Sequence, residues 1–157
     1  MTTLTKSGQF EYVATLRQAR VGDWMTKDVI TITPTTPIAQ AHQIMKDHGI
    51  RRLVICEDEK IVGIVTLGDV REASASSATS LSIWELNYLW AQLTVASVMT
   101  RNVYTVRDDA GIIEAARLMM DKKFSGLPVV NANSRLVGII TESDIFRMLV
   151  MLAADSA

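Results

Sequence analysis

One cysteine, two histidines and a net charge of only -1 are what this chain of 157 residues has least of, and each scarcity removes a class of function. Cys56 alone cannot close an intramolecular disulfide. With no charged-then-apolar leader in view, a reducing cytoplasm is the expected compartment. His42 and His48 stand six apart on one predicted helix, which is not a single-face pair, and both are expected at the surface. No cysteine or histidine cluster has metal-ligand spacing. Walker-type Gly-x-x-x-x-Gly-Lys and His-Glu-x-x-His are missing too, so no nucleophile or base can be named, and the expectation is a non-enzyme that requires no cofactor. The 16 basic and 17 acidic residues are interspersed, which leaves no broad electrostatic footprint for nucleic acid. No apolar run approaches the roughly 20 residues that a membrane-spanning helix needs.

What the chain does hold is 48% apolar residues, enough for one ordinary domain or for two small halves sharing a core, and an internal duplication. Gly63-Ile64-Val65-Thr66-Leu67-Gly68-Asp69 returns as Gly138-Ile139-Ile140-Thr141-Glu142-Ser143-Asp144, an offset of 138 minus 63, or 75. Further upstream the offset is 74. There Val21 matches Val95, Met25-Thr26 matches Met99-Thr100, Thr31 matches Thr105, Ile38 matches Ile112, Met45 matches Met119 and Leu53 matches Leu127. One extra residue between Asn131 and Arg135 explains the slip and predicts a turn insertion.

Each copy predicts the same elements. Val29 to Thr33 reads as a short strand, and Pro37 as the first position of a helix behind a Thr36 cap; the counterpart helix follows Asp108 and Asp109. Ile38, Ala41, Ile44 and Met45, and Ile112, Ala115, Leu118 and Met119, form apolar stripes at helical spacing. Strands are predicted over Leu53 to Cys56 and Ile61 to Thr66, and over Leu127 to Val130 and Leu136 to Thr141, joined by polar turns. A second helix is predicted from Asp69 or Asp144, which gives β-α-β-β-α twice. Cys56 and the methionines Met45, Met119, Met120, Met148 and Met151 read as core filling. The predicted division is an N-terminal extension over 1–20, first unit 21–73, serine-rich loop and linker helix 74–93, second unit 94–150 and tail 151–157.

In the extension, Phe10, Tyr12, Val13 and Leu16 read as a frayed start followed by a short helix or arm that covers an exposed face. Ser74 to Ser80 reads as a loop. Ser82-Ile83-Trp84-Glu85 has the capping-box spacing, and Ile83, Leu86, Leu89, Trp90 and Leu93 would share one face of the helix that follows. Its aromatic residues Trp84, Tyr88 and Trp90 either seal the joint between the units or form a dimer contact.

Paired β-α-β-β-α units that open with Val-x-x-x-Met-Thr and close with Gly-Ile-Val/Ile-Thr-x-x-Asp resemble the cystathionine-β-synthase (CBS) domain family. The resemblance covers Val21 to about Leu149. It implies an α/β fold of two CBS units packed about a pseudo-twofold axis, a Bateman module, with clefts between the units that receive adenosine-containing ligands. AMP, ADP or ATP are the leading candidates, with S-adenosylmethionine and cyclic di-AMP behind them. It also implies a homodimer formed through helices and, with no effector domain attached, an effector protein acted on in trans. The alternative is a ligand-free interaction protein that works through dimerisation and the aromatic linker helix.

The family's ribose-binding aspartate falls on Asp69 and Asp144, and its hydroxyl partner on Thr66 and Thr141. A carboxylate can accept from both ribose hydroxyls, and a threonine can contact ribose or phosphate. Such a pair at a strand-to-helix junction also sits where open α/β structures place ligands. The same aspartates could equally be helix caps. Ile50, Arg51 and Arg52 resemble the family segment whose basic side chains reach phosphates, a task suited to planar guanidinium donors. The alternative for these arginines is a solvated position near Glu57 or Asp58. The equivalent positions in the second copy are the uncharged Ser125 and Gly126, so two unequal sites are expected. Around the base, the resemblance points to Ile32, Val106 and Pro128 as apolar walls.

Overall fold

The computed structural model describes residues 13–76 and 82–154. The expected frayed start with Phe10 and Tyr12, the Ser77 to Ser80 part of the expected loop and the last residues of the tail lie outside the described residues. In chain order the elements are helix α1 (13–18), α2 (Val21–Trp24), β1 (Thr31–Ile32), α3 (Ile38–His48), β2 (Arg52–Glu57), β3 (Lys60–Thr66), α4 (Leu67–Ser76) and α5 (Ile83–Gln92). A single 3-10 turn at Val95–Ser97 precedes β4 (Val106–Arg107), α6 (Ile112–Lys122), β5 (Gly126–Val130), β6 (Leu136–Thr141) and α7 (Glu142–Ala154). The β-α-β-β-α order recurs as expected.

The chain divides into two compact units that cut across the sequence repeats: a central unit, Ile30–Val103, and a flanking unit made of the segment up to Val29 together with Tyr104 onward. Each holds a three-stranded sheet. In the central unit β1 runs parallel to β2 and β2 antiparallel to β3; β4, β5 and β6 repeat that order in the flanking unit. The apolar stripes of α3 and α6 supply Ile38, Ala41 and Met45, and Ile112, Ala115 and Met119, to two separate cores.

Each core is completed by a segment from the other sequence copy. In the central unit, Ile64 and Thr100 exchange backbone hydrogen bonds of 3.0 and 2.9 Å along the free edge of β3, and Val95 N–H donates to Thr36 at 2.9 Å. In the flanking unit Thr26 and Ile139 do the same at 2.9 and 2.9 Å, while Val21 donates to Ala110 at 3.0 Å. The Met-Thr signature and the glycine motif therefore meet. The Met99 thioether lies against Gly63, where an added Cβ would come within 2.6 Å of its Sδ, and Met25 lies still closer against Gly138. A glycine without side chain is what lets a methionine cover the strand.

Several local expectations shift. The strand predicted from Val29 to Thr33 is only Thr31–Ile32, because β2 offers it just two register partners, Val54 and Ile55. Pro37 is the cap residue of α3 and not its first helical position, with extended ψ of 142°, and the Thr36 hydroxyl accepts from Thr33 N–H instead of capping the helix. The second helix of each copy starts two residues before its aspartate. Ser74 to Ser76, expected as loop, continue α4, since neither glycine nor proline stops it. The extra residue of the second copy lies in its hairpin turn. Asp58 and Glu59, both left-handed, make a two-residue turn in the first copy, whereas the Asn131 carboxamide accepts from Asn133 and Arg135 N–H in the second.

The capping box of α5 is present: the Ser82 hydroxyl accepts from Glu85 N–H, and the Glu85 carboxylate accepts from Ser82 N–H at 2.9 Å. The Ser82 hydroxyl also donates to the Glu85 carboxylate at 2.7 Å, and this bond, with the one from Ser82 N–H, holds the Glu85 carboxyl below its usual range. The helix does not bury the expected face. Trp90 and Leu93 pack on the central core, but Ile83 and Leu89 are exposed, as are Trp84 and Tyr88 at 83% and 67%; nothing is described of the Leu86 side chain. His42, expected at the surface, is half-buried against the Trp90 ring with centroids 6.0 Å apart, while His48 is exposed. Met45, Met119 and Met148 are core residues; Met120 and Met151 are exposed. Cys56 is half-buried at the end of β2, and burial pushes its thiol up.

If the methionine-over-glycine contact sets the edge of β6, Gly138→Ala must push Met25 aside and press on the Thr26 carbonyl, 3.0 Å from the new Cβ. The expected cost is about 1–3 kcal/mol of unfolding free energy. Urea denaturation of the variant checks it, with Gly111→Ala, whose added Cβ meets nothing within 4 Å, as the control.

Candidate functional site

The chemistry concentrates where β3 and β6 turn into α4 and α7. Thr66 closes its strand in the cap position, and Asp69 is the third helical residue. Thr66 N–H and Oγ1–H both donate to Asp69 Oδ2 at 2.7 Å, and Asp69 N–H donates back to the Thr66 hydroxyl at 3.3 Å. Thr141 N–H and Oγ1–H donate to Asp144 Oδ2 at 2.8 Å in the same way. The first is a capping box in which the threonine is the cap and the aspartate the reciprocal partner, the reverse of the expected role; the second keeps the two bonds from threonine to aspartate. The consequence is geometric. One oxygen of each carboxylate is committed to the strand end, and Oδ1 is directed elsewhere.

The residues expected on the preceding strand arrive at the same end of the sheet. Arg52 is the register partner of Thr66, and Gly126 that of Thr141. Leu67 N–H donates to the Arg51 carbonyl at 2.8 Å and Glu142 N–H to the Ser125 carbonyl at 3.2 Å, so Arg51 and Ser125 are structural equivalents. Arg51 is exposed and Arg52 half-buried. Glu57 closes the other end of β2, five residues or about 17 Å away, so the alternative of a solvated position near it does not describe Arg52. Ile50 follows the left-handed Gly49 cap of α3 and packs on the central core.

Ile32, Val106 and Pro128, expected as apolar walls, lie further along the sheets from the Thr-Asp junctions. Ile32 pairs with Ile55, and Val106 with Val129, three residues along from Arg52 and Gly126, or about 10 Å. Both are core residues, and Pro128 is buried in β5 opposite Ile139. The residues level with the Thr-Asp junctions are Ile30 and Tyr104, two positions earlier. Tyr104 is 43% exposed, its ring 5.6 Å from that of Phe124, with Lys122 Nζ 5.0 Å above it. Phe124 stands 74 after Ile50 and Tyr104 stands 74 after Ile30, so the repeat alignment carried the signal: an aromatic replaces an aliphatic at both positions.

The two aspartates differ in surroundings. Asp144 is 2% exposed, with Oδ1 3.1 Å from Arg147 Nη2, one turn along α7. Asp69 is half-buried, and the residue three beyond it is Glu72. Asp109, which the Arg107 guanidinium holds below the usual carboxylate range, lies just past β4 at the other end of its sheet and takes no part. Among the described residues, no group of three or more histidine, cysteine, aspartate or glutamate side chains could hold a metal ion, and no helix is long and apolar enough to cross a membrane.

Two copies of one β-α-β-β-α unit, each closed by a Thr-x-x-Asp junction, define a tandem α/β module. The CBS domain model matches residues 21–76 and 95–151, and the chain belongs to the CBS domain family as a tandem pair. Homoserine O-acetyltransferase of Methanosalsum zhilinae is 36% identical over 149 residues, 93% of this chain but 27% of that enzyme. The chain thus spans about a quarter of the length of the first curated relatives it matches. The CBS domain pair of protein MJ0100, solved with 5′-methylthioadenosine and S-adenosyl-L-methionine, has a TM-score of 0.72 and 32% identity over 84% of this chain and 96% of that one. CBSX2, known from Arabidopsis thaliana and solved with AMP, has a TM-score of 0.71 and 27% identity over 85% and 98%.

Because both aspartates accept two hydrogen bonds from the threonines at their helix starts, their removal carries a structural cost apart from any ligand. Asp69→Ala is expected to lower the unfolding free energy by about 1 kcal/mol, and Asp144→Ala by about 1–3 kcal/mol, since its carboxylate is more deeply buried and serves Arg147 as well. Denaturant titration of the two variants without ligand measures both.

Proposed function

We propose that this CBS pair is a regulatory module that binds an adenosine-containing ligand, AMP, ADP or ATP foremost, at its Thr-Asp junctions and passes the signal in trans to an effector protein as a homodimer. The observation that carries the reading is the junction itself. In each copy a threonine pins one carboxylate oxygen at the strand end, where a ribose diol would need acceptors; at Asp144 the other oxygen meets Arg147, which a ligand would have to displace. Two structural relatives whose pairs hold AMP, or S-adenosyl-L-methionine with 5′-methylthioadenosine, support the ligand class. Arg51 and Arg52 beside Thr66 would favour phosphates at that copy, and Ser125 and Gly126 would not. Ile30 and Ile50 in one copy, and Tyr104 and Phe124 in the other, offer the apolar or ring surface that a base requires. Signalling would need different ligand affinity in two arrangements of the protein.

A second reading rests on the exposed Trp84, Tyr88 and Ile83 of α5, and makes that helix the functional surface of an interaction protein.

A thermal-shift titration separates the two. Binding to the native state should raise the melting temperature with ligand concentration, by about 2.7 kcal/mol of stabilisation at 100 times Kd. The test uses AMP, ADP, ATP, S-adenosylmethionine and cyclic di-AMP; no shift with any of them at millimolar concentration overturns the sensor reading. Replacing Arg51 and Arg52 together by alanine should weaken AMP and ATP about tenfold or more while sparing adenosine. Equal loss for all three would place the arginines in folding.

A further inference from the structure

The two Thr-Asp junctions share the two bonds from threonine to the aspartate Oδ2, and the residues one turn further along their helices differ. At Asp144, Oδ2 takes Thr141 N–H and Oγ1–H, and Oδ1 takes the guanidinium of Arg147 at 3.1 Å. The carboxylate is 2% exposed, whereas the Arg147 side chain is 59% exposed and needs only rotamer changes to leave. In the other copy the residue 75 before Arg147 is Glu72, which cannot ion-pair with Asp69. The cation one helical turn past the aspartate therefore exists in one copy only.

We propose that Arg147 is a specificity-determining positioning residue, which makes the Asp144 junction selective for nucleosides that carry an anionic group. This rests on the reading of the Thr-Asp junctions as ribose acceptors. A ribose that approaches Asp144 must take Oδ1 from Arg147. A neutral nucleoside leaves the guanidinium without a partner, and the exchange gains little. A nucleotide brings phosphate oxygens on the same molecule, so the released guanidinium trades one anionic partner for another that matches its planar donors. Arg147 thus plays for the second copy the part that the sequence assigns to Arg51 and Arg52 in the first, from the helix side of the junction instead of the strand side. It also accounts for how Ser125 and Gly126 could be uncharged without closing that copy to phosphates.

The test isolates the second copy in the full chain with Asp69→Ala and follows AMP and adenosine by isothermal titration, with Arg147→Ala or Arg147→Lys added. With Arg147→Ala the ratio of AMP to adenosine affinity should fall about tenfold, adenosine tightening as AMP weakens. Arg147→Lys should retain much of the ratio. An equal change for both ligands, or none, overturns the proposal and leaves Arg147 as an ordinary i,i+3 helix pair. Binding by the unmodified chain but not by the Asp69→Ala chain also overturns it, while keeping the sensor reading for the first copy. If the unmodified chain binds neither ligand, that reading itself fails. Arg147 is largely exposed, so its replacement leaves the core in place.

Discussion

The structure depends on a methionine lying across a glycine. Gly63 and Gly138 sit inside strands where any side chain would collide with Met99 and Met25, and the bare backbone lets the Met-Thr segments come close enough to exchange two hydrogen bonds with β3 and β6. That pairing finishes the free edge of each sheet, which would otherwise expose unpaired donors and acceptors. Because the segment that does this comes from the other sequence copy, neither repeat completes a compact unit alone. A β-α-β-β-α copy leaves an open edge, and its partner's first residues close it.

The same closure fixes the chemistry. With β3 and β6 held on both sides, their last residues, Thr66 and Thr141, have settled positions, and the helix that follows starts immediately. An aspartate at the third helical position then folds back onto the strand end and spends one oxygen on two donors. In the proposed reading, structure and binding would use the same atoms: the hydrogen bonds to the threonine take one oxygen and fix the direction of the other. Capping by the threonine and presentation by the aspartate are two descriptions of one set of hydrogen bonds.

Duplication then permits divergence. Both cores and both junctions must keep their apolar and capping residues, since each cap orients a helix. Residues around the junction differ: Arg51 and Arg52 against Ser125 and Gly126, Ile30 and Ile50 against Tyr104 and Phe124, Glu72 against Arg147. Charge lies on the strand side of one junction and on the helix side of the other.

The amino-acid order alone determined the repeat, the element sequence, the apolar stripes of α3 and α6, the capping box at Ser82 and the pairing of threonine with aspartate. All of these are local, written in spacings of three to seven residues or in self-similarity along the chain. What it left open depends on contacts distant in sequence. Whether Thr66 or Asp69 caps the helix turns on where β3 ends. That Ile32 and Val106 face the core, with Ile30 and Tyr104 at the junction end, follows from a register two residues long. The exposure of Ile83 and Trp84 depends on which side of α5 the central core can reach, which helical periodicity does not encode. Arg147 was legible as a residue and invisible as a partner, because only the folded junction buries Asp144 and brings the guanidinium onto its free oxygen.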